Sequence, residues 1–374
     1  MRKVHISHAK SGDVLAVDLF AANGSVLLSR GVRLTSGYIR SLAQKGVQYI
    51  YIDDKQTYDI RPRPLISPTV RQQAVKKVYE TMTALIEQKK LLSRVSSLDL
   101  GKEYENVFKD ILDYLLKQED LLINLSDLVI SNGYFFHHSV NVATIAGVIG
   151  IAKGYRPQQL LDLGIGALLF DIGMTQLPDG LWRKKGVLTE EEKEIIRRHT
   201  HLGFELLRRQ RNISLFSAHC ALQHHERCDG SGYPRALSGD DIHEYARIVA
   251  IADVFDALTS ARYHRRQYSP HEAAEYLSAA GGMLDYELIK LFLSYIAVYP
   301  VATTVKLNTG EVGVVSQVFP GFPLRPIVRV IKNPAGEELK THISHPLDEN
   351  REDFFVPMSN ESLTHKERKG VFLL

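Results

Sequence analysis

The sequence contains only two cysteines, Cys220 and Cys228, and they form no CxxC pattern. This scarcity argues against a disulfide framework and against a thiolate zinc site, and it fits a reducing compartment. The first residues contain no apolar run of signal-peptide length. The longest apolar stretches, near 140–152 and 248–258, are shorter than a bilayer requires. We therefore expect a cytoplasmic protein without a transmembrane segment.

A strong charge of either sign is also missing. The 374 residues include 46 lysines and arginines and 43 aspartates and glutamates, which leaves a net charge of +3. So small a charge gives no reason to expect DNA, RNA or an anionic membrane as a partner, although local basic patches could bind a small phosphorylated ligand. The length predicts two or three domains.

The spacing of apolar and polar residues along the chain predicts a mainly α-helical protein with small modules at both ends. Residues 1–60, with a hairpin turn at Asn23-Gly24, are typical of an α+β module. Residues 61–130 hold a proline-bearing linker and two long amphipathic helices, which either pack on the next domain or form a dimer seam. Residues 131–298 are helix-rich, residues 299–357 predict a β-barrel-like appendage, and residues 358–374 form a polar tail.

Several histidines and aspartates of the helix-rich block fall where core residues are expected. His138 shares a helical face with Val142 and Ile145, whereas its neighbour His137 should be exposed. The other members of this group are His199, in a stripe that follows a TEEE capping box, His224 beside His225, Asp171 after an apolar run, and Asp253 and Asp256 within IVAIADVFDAL. One buried histidine is usually a hydrogen-bonded core residue, but the whole group favours a metal cluster. Ligands of nitrogen and oxygen suit iron, manganese or zinc.

Residues 224–234, HHERCDGSGYP, closely resemble the HHExxDGxGYP signature of the HD-GYP family. The resemblance extends to HSVNVA at 138–143 and RIVAIADVFDALTSAR at 247–262, and covers roughly residues 131–298. It implies a helical HD superfamily fold with two or three metal ions, often iron. It also implies hydrolysis of cyclic di-GMP in bacterial second-messenger signalling.

Carried over by motif position, the resemblance implies a role for each of several residues. The metal ligands would be His138, Asp171, His199, His224, His225 and Asp253, with Asp171 bridging two ions and Asp171 and Asp253 placed at the catalytic centre. Arg262 and Arg265 would bind substrate phosphate, for which a planar guanidinium is well suited. The GYP loop, with Glu226, Asp229, Gly230, Gly232, Tyr233 and Pro234, would shape the site or contact a protein partner.

The sequence departs from the family pattern at three positions. The HDxGK motif has Phe170 in place of histidine and Met174 in place of lysine, and Tyr134 stands where trinuclear members carry glutamate. One ion would keep four ligands, whereas the other would keep only His138, Asp171 and Asp253. Three nearby histidines could compensate but are expected on helix surfaces: His137, His201 and His219.

Three functions remain open at this point. The first is a cyclic di-GMP phosphodiesterase, running slowly on one or two ions of iron or manganese. The second is a non-catalytic member that binds cyclic di-GMP or a partner protein. The third, which the GYP signature disfavours, is an HD-type phosphohydrolase for another nucleotide.

Overall fold

The computed structural model of the chain describes residues 1–21, 23–90, 99–118, 121–123, 134–178, 180–181, 184, 186, 188–260, 267–319, 322–345 and 355–357. Arg262, Arg265 and the tail after residue 357 lie outside these residues. The side chain of Tyr134 is also outside the description, although its backbone begins a helix.

The described residues confirm a mainly helical fold with a small module at each end. The helices are α1 (Ser36–Gln44), α2 (Pro68–Lys90), α3 (Leu100–Leu116), α4 (Tyr134–Ala152), α5 (Pro157–Leu169), α6 (Glu190–Arg197), α7 (His199–Leu207), α8 (Leu215–Gln223), α9 (Glu244–Thr259), α10 (Pro270–Ala279) and α11 (Tyr286–Ser294). The strands are β1 (Arg2–His5), β2 (Leu19–Phe20), β3 (Val26–Leu28), β4 (Tyr49–Ile52), β5 (Thr304–Leu307), β6 (Val312–Phe319), β7 (Phe322–Lys332), β8 (Glu338–His345) and β9 (Phe355–Pro357).

The N-terminal module contains two antiparallel strand pairs, β1 with β4 and β2 with β3, and the helix α1. Its own small core includes Leu15, Leu19 and Ile50. The expected turn joins β2 to β3, and Gly24 adopts a φ of +78° there. A side chain at this glycine would lie 3.0 Å from the backbone oxygen of Gln72, so the hairpin rests directly on α2.

The two amphipathic helices pack on the helical block. α3 buries its apolar face, and the ring of Phe108 lies against Gly147 of α4 and Gly164 of α5. A Cβ added at Gly164 would approach three atoms of that ring to 2.2 Å, so the helices meet where a side chain is missing. α2 and α3 therefore share one hydrophobic core with α4, α5 and α7 to α11. A dimer seam on these helices stays a prediction.

The C-terminal strands form a five-stranded antiparallel sheet in the order β8-β7-β6-β5-β9. This sheet packs on the N-terminal module through a bridge between Lys3 and Thr303 and a shared apolar core. Arg329 of β7 donates to both carboxylate oxygens of Asp59, at 2.5 and 2.6 Å. That hydrogen bonding lowers the pKa of Asp59 to about 2. The two terminal modules thus meet in space although the helical block separates them in sequence.

Helix α4 runs through the helical core and packs against α5 and α9. Among the described residues, Phe135–Ala152 is a helical stretch long and apolar enough to cross a membrane, which corrects the expectation that this stretch is too short. Yet 78% of the stretch is buried inside the protein. Core helices of soluble domains show the same combination, so length and composition are weak evidence for a membrane span.

Candidate metal centre

Four potential ligands converge at the centre of the helical block. Asp171 follows the end of α5, His199 begins α7, and His224 and His225 follow the end of α8. One donor atom from each residue lies within 4.8 Å of the others. All three histidines are buried and the aspartate is half-buried. Three helix termini therefore bring together the complete ligand set that the sequence assigned to one ion.

The spacing of these donors suits a metal ion. His199 Nε2 lies 3.3 Å from both Asp171 Oδ1 and His224 Nε2, and His224 Nε2 lies 3.6 Å from Asp171 Oδ1. Ligands about 2.1 Å from a tetrahedral ion are about 3.4 Å apart. The Nδ1 atoms of His199 and His224 lie 2.7 and 2.9 Å from the carbonyl oxygens of Ile196 and Cys220. Since a carbonyl only accepts, each Nδ1 donates to the backbone and each Nε2 is the ring nitrogen that faces the other donors.

Electrostatics favour the protonation states that a metal requires. Burial by itself would raise the pKa of Asp171, but the adjacent imidazoles of His199 and His224 outweigh burial and hold that pKa well below its usual range. Burial, together with the neighbouring imidazoles, holds the pKa of His225 well below its usual range. The Nδ1 atom of His225 is buried without a hydrogen-bond partner. An ionised carboxylate and a neutral imidazole are the forms that bind divalent ions, so Asp171 and His225 fit such an ion.

The GYP loop is held closed by a buried carboxylate. Glu226, 2% exposed, accepts hydrogen bonds from the backbone N–H groups of Arg235 and Leu237 at 2.8 and 2.9 Å. Asp229 accepts from the backbone N–H and the hydroxyl of Ser231, and so stabilises the exposed tip of the loop. Both carboxylates act on the loop backbone, and neither belongs to the four-donor cluster.

The same loop packs directly on a candidate ligand. The Tyr233 ring stacks on His225 with ring centres 4.6 Å apart, and the Tyr233 N–H donates to the His225 carbonyl oxygen at 3.2 Å. The Tyr233-Pro234 peptide bond is cis, and Gly230 has a φ of +79°. A Cβ at Gly232 would lie 2.4 Å from the Arg227 backbone nitrogen, so only glycine permits this approach. The loop thus orients His225.

His138 and Asp253 lie outside the four-donor cluster. His138 Nε2 is 2.9 Å from Asp253 Oδ1, and His138 Nδ1 is 2.6 Å from Asp256 Oδ2. Burial disfavours the charged imidazole, but the hydrogen bonds to these two carboxylates outweigh burial and raise the pKa of His138 to about 9. Sequence reasoning noted that Asp256 is buried but assigned it no role. The signal was present, because Asp253 and Asp256 lie three residues apart on one apolar helix.

Phe170 lies between the two groups of polar side chains. It is 1% exposed, and its ring makes edge-to-face contacts with His138 and His224 at centre distances of 5.6 and 4.9 Å. Met174 is half-buried on the short 3-10 helix that follows. The altered HD motif therefore places an apolar ring at the centre of the site.

One of the remaining histidines corrects an expectation. His137 was expected to be exposed but is buried, because the N-terminal hairpin covers it and the Ala21 carbonyl oxygen lies 3.0 Å from its Nε2. His201 is exposed as expected, and His219 is half-buried.

Comparison with known families agrees with this site. Residues 121–288 match the family described as "HD domain", and these residues contain the HHERCDGSGYP loop described above. Residues 121–288 are an HD domain of the HD-GYP family. Residues 304–362 match a second family, "KOW domain associated with HD domain", which corresponds to the C-terminal sheet. Membership of the HD-GYP family implies a divalent metal ion, for which the four donors form the candidate site.

The chain is similar to two curated relatives. It is 34% identical over 218 residues to "Cyclic di-GMP phosphodiesterase PA4108" of Pseudomonas aeruginosa, covering 58% of this chain and 52% of that protein. It is 36% identical over 196 residues to a "Cyclic di-GMP phosphodiesterase" of Thermotoga maritima, covering 52% and 53%. The chain spans about half the length of these relatives. A solved structure of "Bd1817, a HDG"Y"P protein from Bdellovibrio bacteriovorus" has a TM-score of 0.46 at 16% identity, covering 78% of this chain and 97% of that one.

Proposed function

We propose that this protein hydrolyses a phosphodiester bond of cyclic di-GMP with the help of a divalent metal ion. The observation that carries the proposal is the four-donor cluster, Asp171 with three histidines, lying beside an intact GYP loop. The relatives named as cyclic di-GMP phosphodiesterases support the same substrate. We propose iron or manganese, because the donors are imidazole and carboxylate without thiolate.

Each residue of the site has a defined task in this proposal. A bound divalent ion supplies the positive charge that activates water and neutralises phosphate. Asp171, His199, His224 and His225 hold that ion, and the loop keeps His225 in place. Arg262 and Arg265 bind the phosphate oxygens of the substrate. Asp253 orients His138 rather than meeting the ion, since its carboxylate is engaged by that imidazole.

The choice among cyclic dinucleotides needs its own test. The chain is also 30% identical over 214 residues to "3'3'-cGAMP-specific phosphodiesterase 2" of Vibrio cholerae, covering 56% of this chain and 41% of that protein. The two substrates differ in one base, so phosphate and metal contacts do not discriminate them. Parallel assays with cyclic di-GMP and 3'3'-cGAMP would measure the ratio of kcat/KM. We expect cyclic di-GMP to give the higher value.

A second function is a non-catalytic receptor for cyclic di-GMP or for a protein that contacts the GYP loop. The observation that favours it is the replacement of the motif histidine and lysine by Phe170 and Met174. Tight binding of cyclic di-GMP without product would support this function.

The deciding experiment uses the purified full chain. Bound iron and manganese are measured by mass spectrometry, and cyclic di-GMP is followed by chromatography. The matched pair His199→Ala and His201→Ala separates the site from its surroundings, because His201 is exposed two residues away. We expect His199→Ala to lose both metal and turnover and His201→Ala to keep both. Equal turnover in the two variants would refute the proposed site.

We also propose a cytoplasmic location, since the two cysteines are free and one of them is buried. A homodimer through residues 68–128 is proposed from the amphipathic helices. Light scattering of the full chain measures its oligomeric state.

A further inference from the structure

We infer that this chain holds a single metal ion, and that His138, Asp253 and Asp256 form a hydrogen-bonded strut in place of a second metal site. The inference rests on the four-donor centre of the proposed function and concerns the side chains next to it. It is drawn from three features of the described residues: the geometry of the strut, the hydrogen bonds that saturate it, and the position of Phe170.

Both ring nitrogens of His138 are hydrogen-bonded to carboxylates. The two ring nitrogens of His138 point in different directions, and each of them meets a different carboxylate. Nε2 lies 2.9 Å from Asp253 and Nδ1 lies 2.6 Å from Asp256. The histidine therefore stands between the two carboxylates and keeps them apart. Among the described residues, three donors converge within 4.8 Å only at the centre that contains Asp171.

Further hydrogen bonds saturate the far end of the strut. Asp256 Oδ1 accepts from the Asn141 amide at 2.8 Å, and its Oδ2 also accepts from the Ser260 hydroxyl at 3.3 Å. Asn141 is held in turn by Arg71 of α2, which donates to its amide oxygen at 2.5 Å. Asp256 is 1% exposed. A buried carboxylate that already accepts three hydrogen bonds has its charge compensated without a cation.

Phe170 closes the space between the strut and the metal centre. Its ring contacts His138 on one side and His224 on the other, and it offers no lone pair to a metal. The hydrogen bonding of the histidines differs in the four-donor centre. In that centre the Nδ1 atoms of His199 and His224 bond to backbone carbonyls, and both Nε2 atoms point to the same carboxylate oxygen of Asp171, at 3.3 and 3.6 Å. The imidazole of His138 thus separates two carboxylates, whereas the Nε2 atoms of His199 and His224 converge on one carboxylate oxygen of Asp171.

The test measures metal stoichiometry. The full chain, stripped with a chelator, is loaded with Mn(II) or Co(II), dialysed and analysed for metal per chain, and Co(II) absorption reports the ligand field. We expect one ion per wild-type chain. His138→Gln, which retains a donor and an acceptor, should keep that ion within about threefold in affinity and leave the Co(II) spectrum unchanged. His199→Ala should weaken binding by at least about 100-fold, beyond the tenfold to 100-fold expected for groups that only support a ligand.

Each outcome bears on the inference. Two ions in the wild type, no ion in the wild type, or loss of the ion and its spectrum in a folded His138→Gln protein would overturn it. Circular dichroism and the conservative variant Asp256→Asn check that any loss is not unfolding. Failure of the proposed function is distinguishable, because one tightly bound ion without turnover of cyclic di-GMP would leave the single-ion inference standing and refute hydrolysis.

Discussion

Replacing Glu226 by alanine should open the GYP loop and weaken metal binding while leaving most of the fold intact. The buried carboxylate accepts from the N–H groups of Arg235 and Leu237, which lie across the loop. The next residue toward the N-terminus is His225, a candidate ligand on which Tyr233 of the same loop stacks. Loss of the carboxylate therefore acts on the metal centre through the backbone.

The size of the effect follows from those two hydrogen bonds. A hydrogen bond to a charged group contributes about 1.5–3 kcal/mol, so the pair contributes at most about 3–6 kcal/mol. Arg235 is exposed and Leu237 is half-buried, so water replaces part of this contribution once the loop opens. We expect a net cost of about 2 kcal/mol for closing the loop in the variant. Since 1.4 kcal/mol is a factor of ten, affinity for Mn(II) should fall by about 30-fold.

Titration calorimetry with Mn(II) measures this change, and thermal unfolding of the metal-free protein measures the cost to the fold. The unfolding midpoint should shift little, because loop opening is a local event. Asp229→Ala is the matched control, since its carboxylate bonds only within the exposed loop tip. An affinity of Glu226→Ala within about threefold of the wild type would show that the loop does not position His225.

Gly164→Ala should lower the free energy of unfolding, measured with urea, by about 1–3 kcal/mol, because the added methyl group overpacks against Phe108. Adding Phe108→Leu to the same chain should recover part of that loss. If the free-energy losses of the two substitutions simply add, the contact is contradicted. Burial lowers the pKa of His137 to about 4, below the unfolded value of 6.5, so the unfolded chain takes up the proton first. The free energy of unfolding should therefore fall by up to about 3 kcal/mol as the pH drops from 6.5 through 4, and the His137→Gln variant should lack this pH dependence. If the variant keeps the pH dependence of the wild type, His137 is not its cause. Phe170→His with Met174→Lys should raise bound metal above one ion per chain and increase turnover, and an unchanged metal content would contradict the excluding role given to Phe170.

Local sequence was sufficient for features that depend on near neighbours. The capping box at Thr189 and Glu192, the turn at Gly24 and the amphipathic face of α3 were all predicted, because helix and turn signals act within a few residues. The four donors of the metal centre were also identified from the sequence. Buried polar side chains on apolar helix faces require compensation wherever the helices pack, and a long motif marked two of these donors directly.

Only the tertiary structure decided which polar groups meet. Burial of His137 depends on a hairpin that lies more than 100 residues away in the sequence. The apolar pattern of a single helix cannot predict such a contact. The sequence assigned His138 and Asp253 to a metal, whereas the fold places Asp256 at the other nitrogen of the same imidazole. Substitution of the motif histidine was visible in the sequence. That the Phe170 ring fills the space between His138 and His224 follows from packing, because three helices must pack together before that space exists.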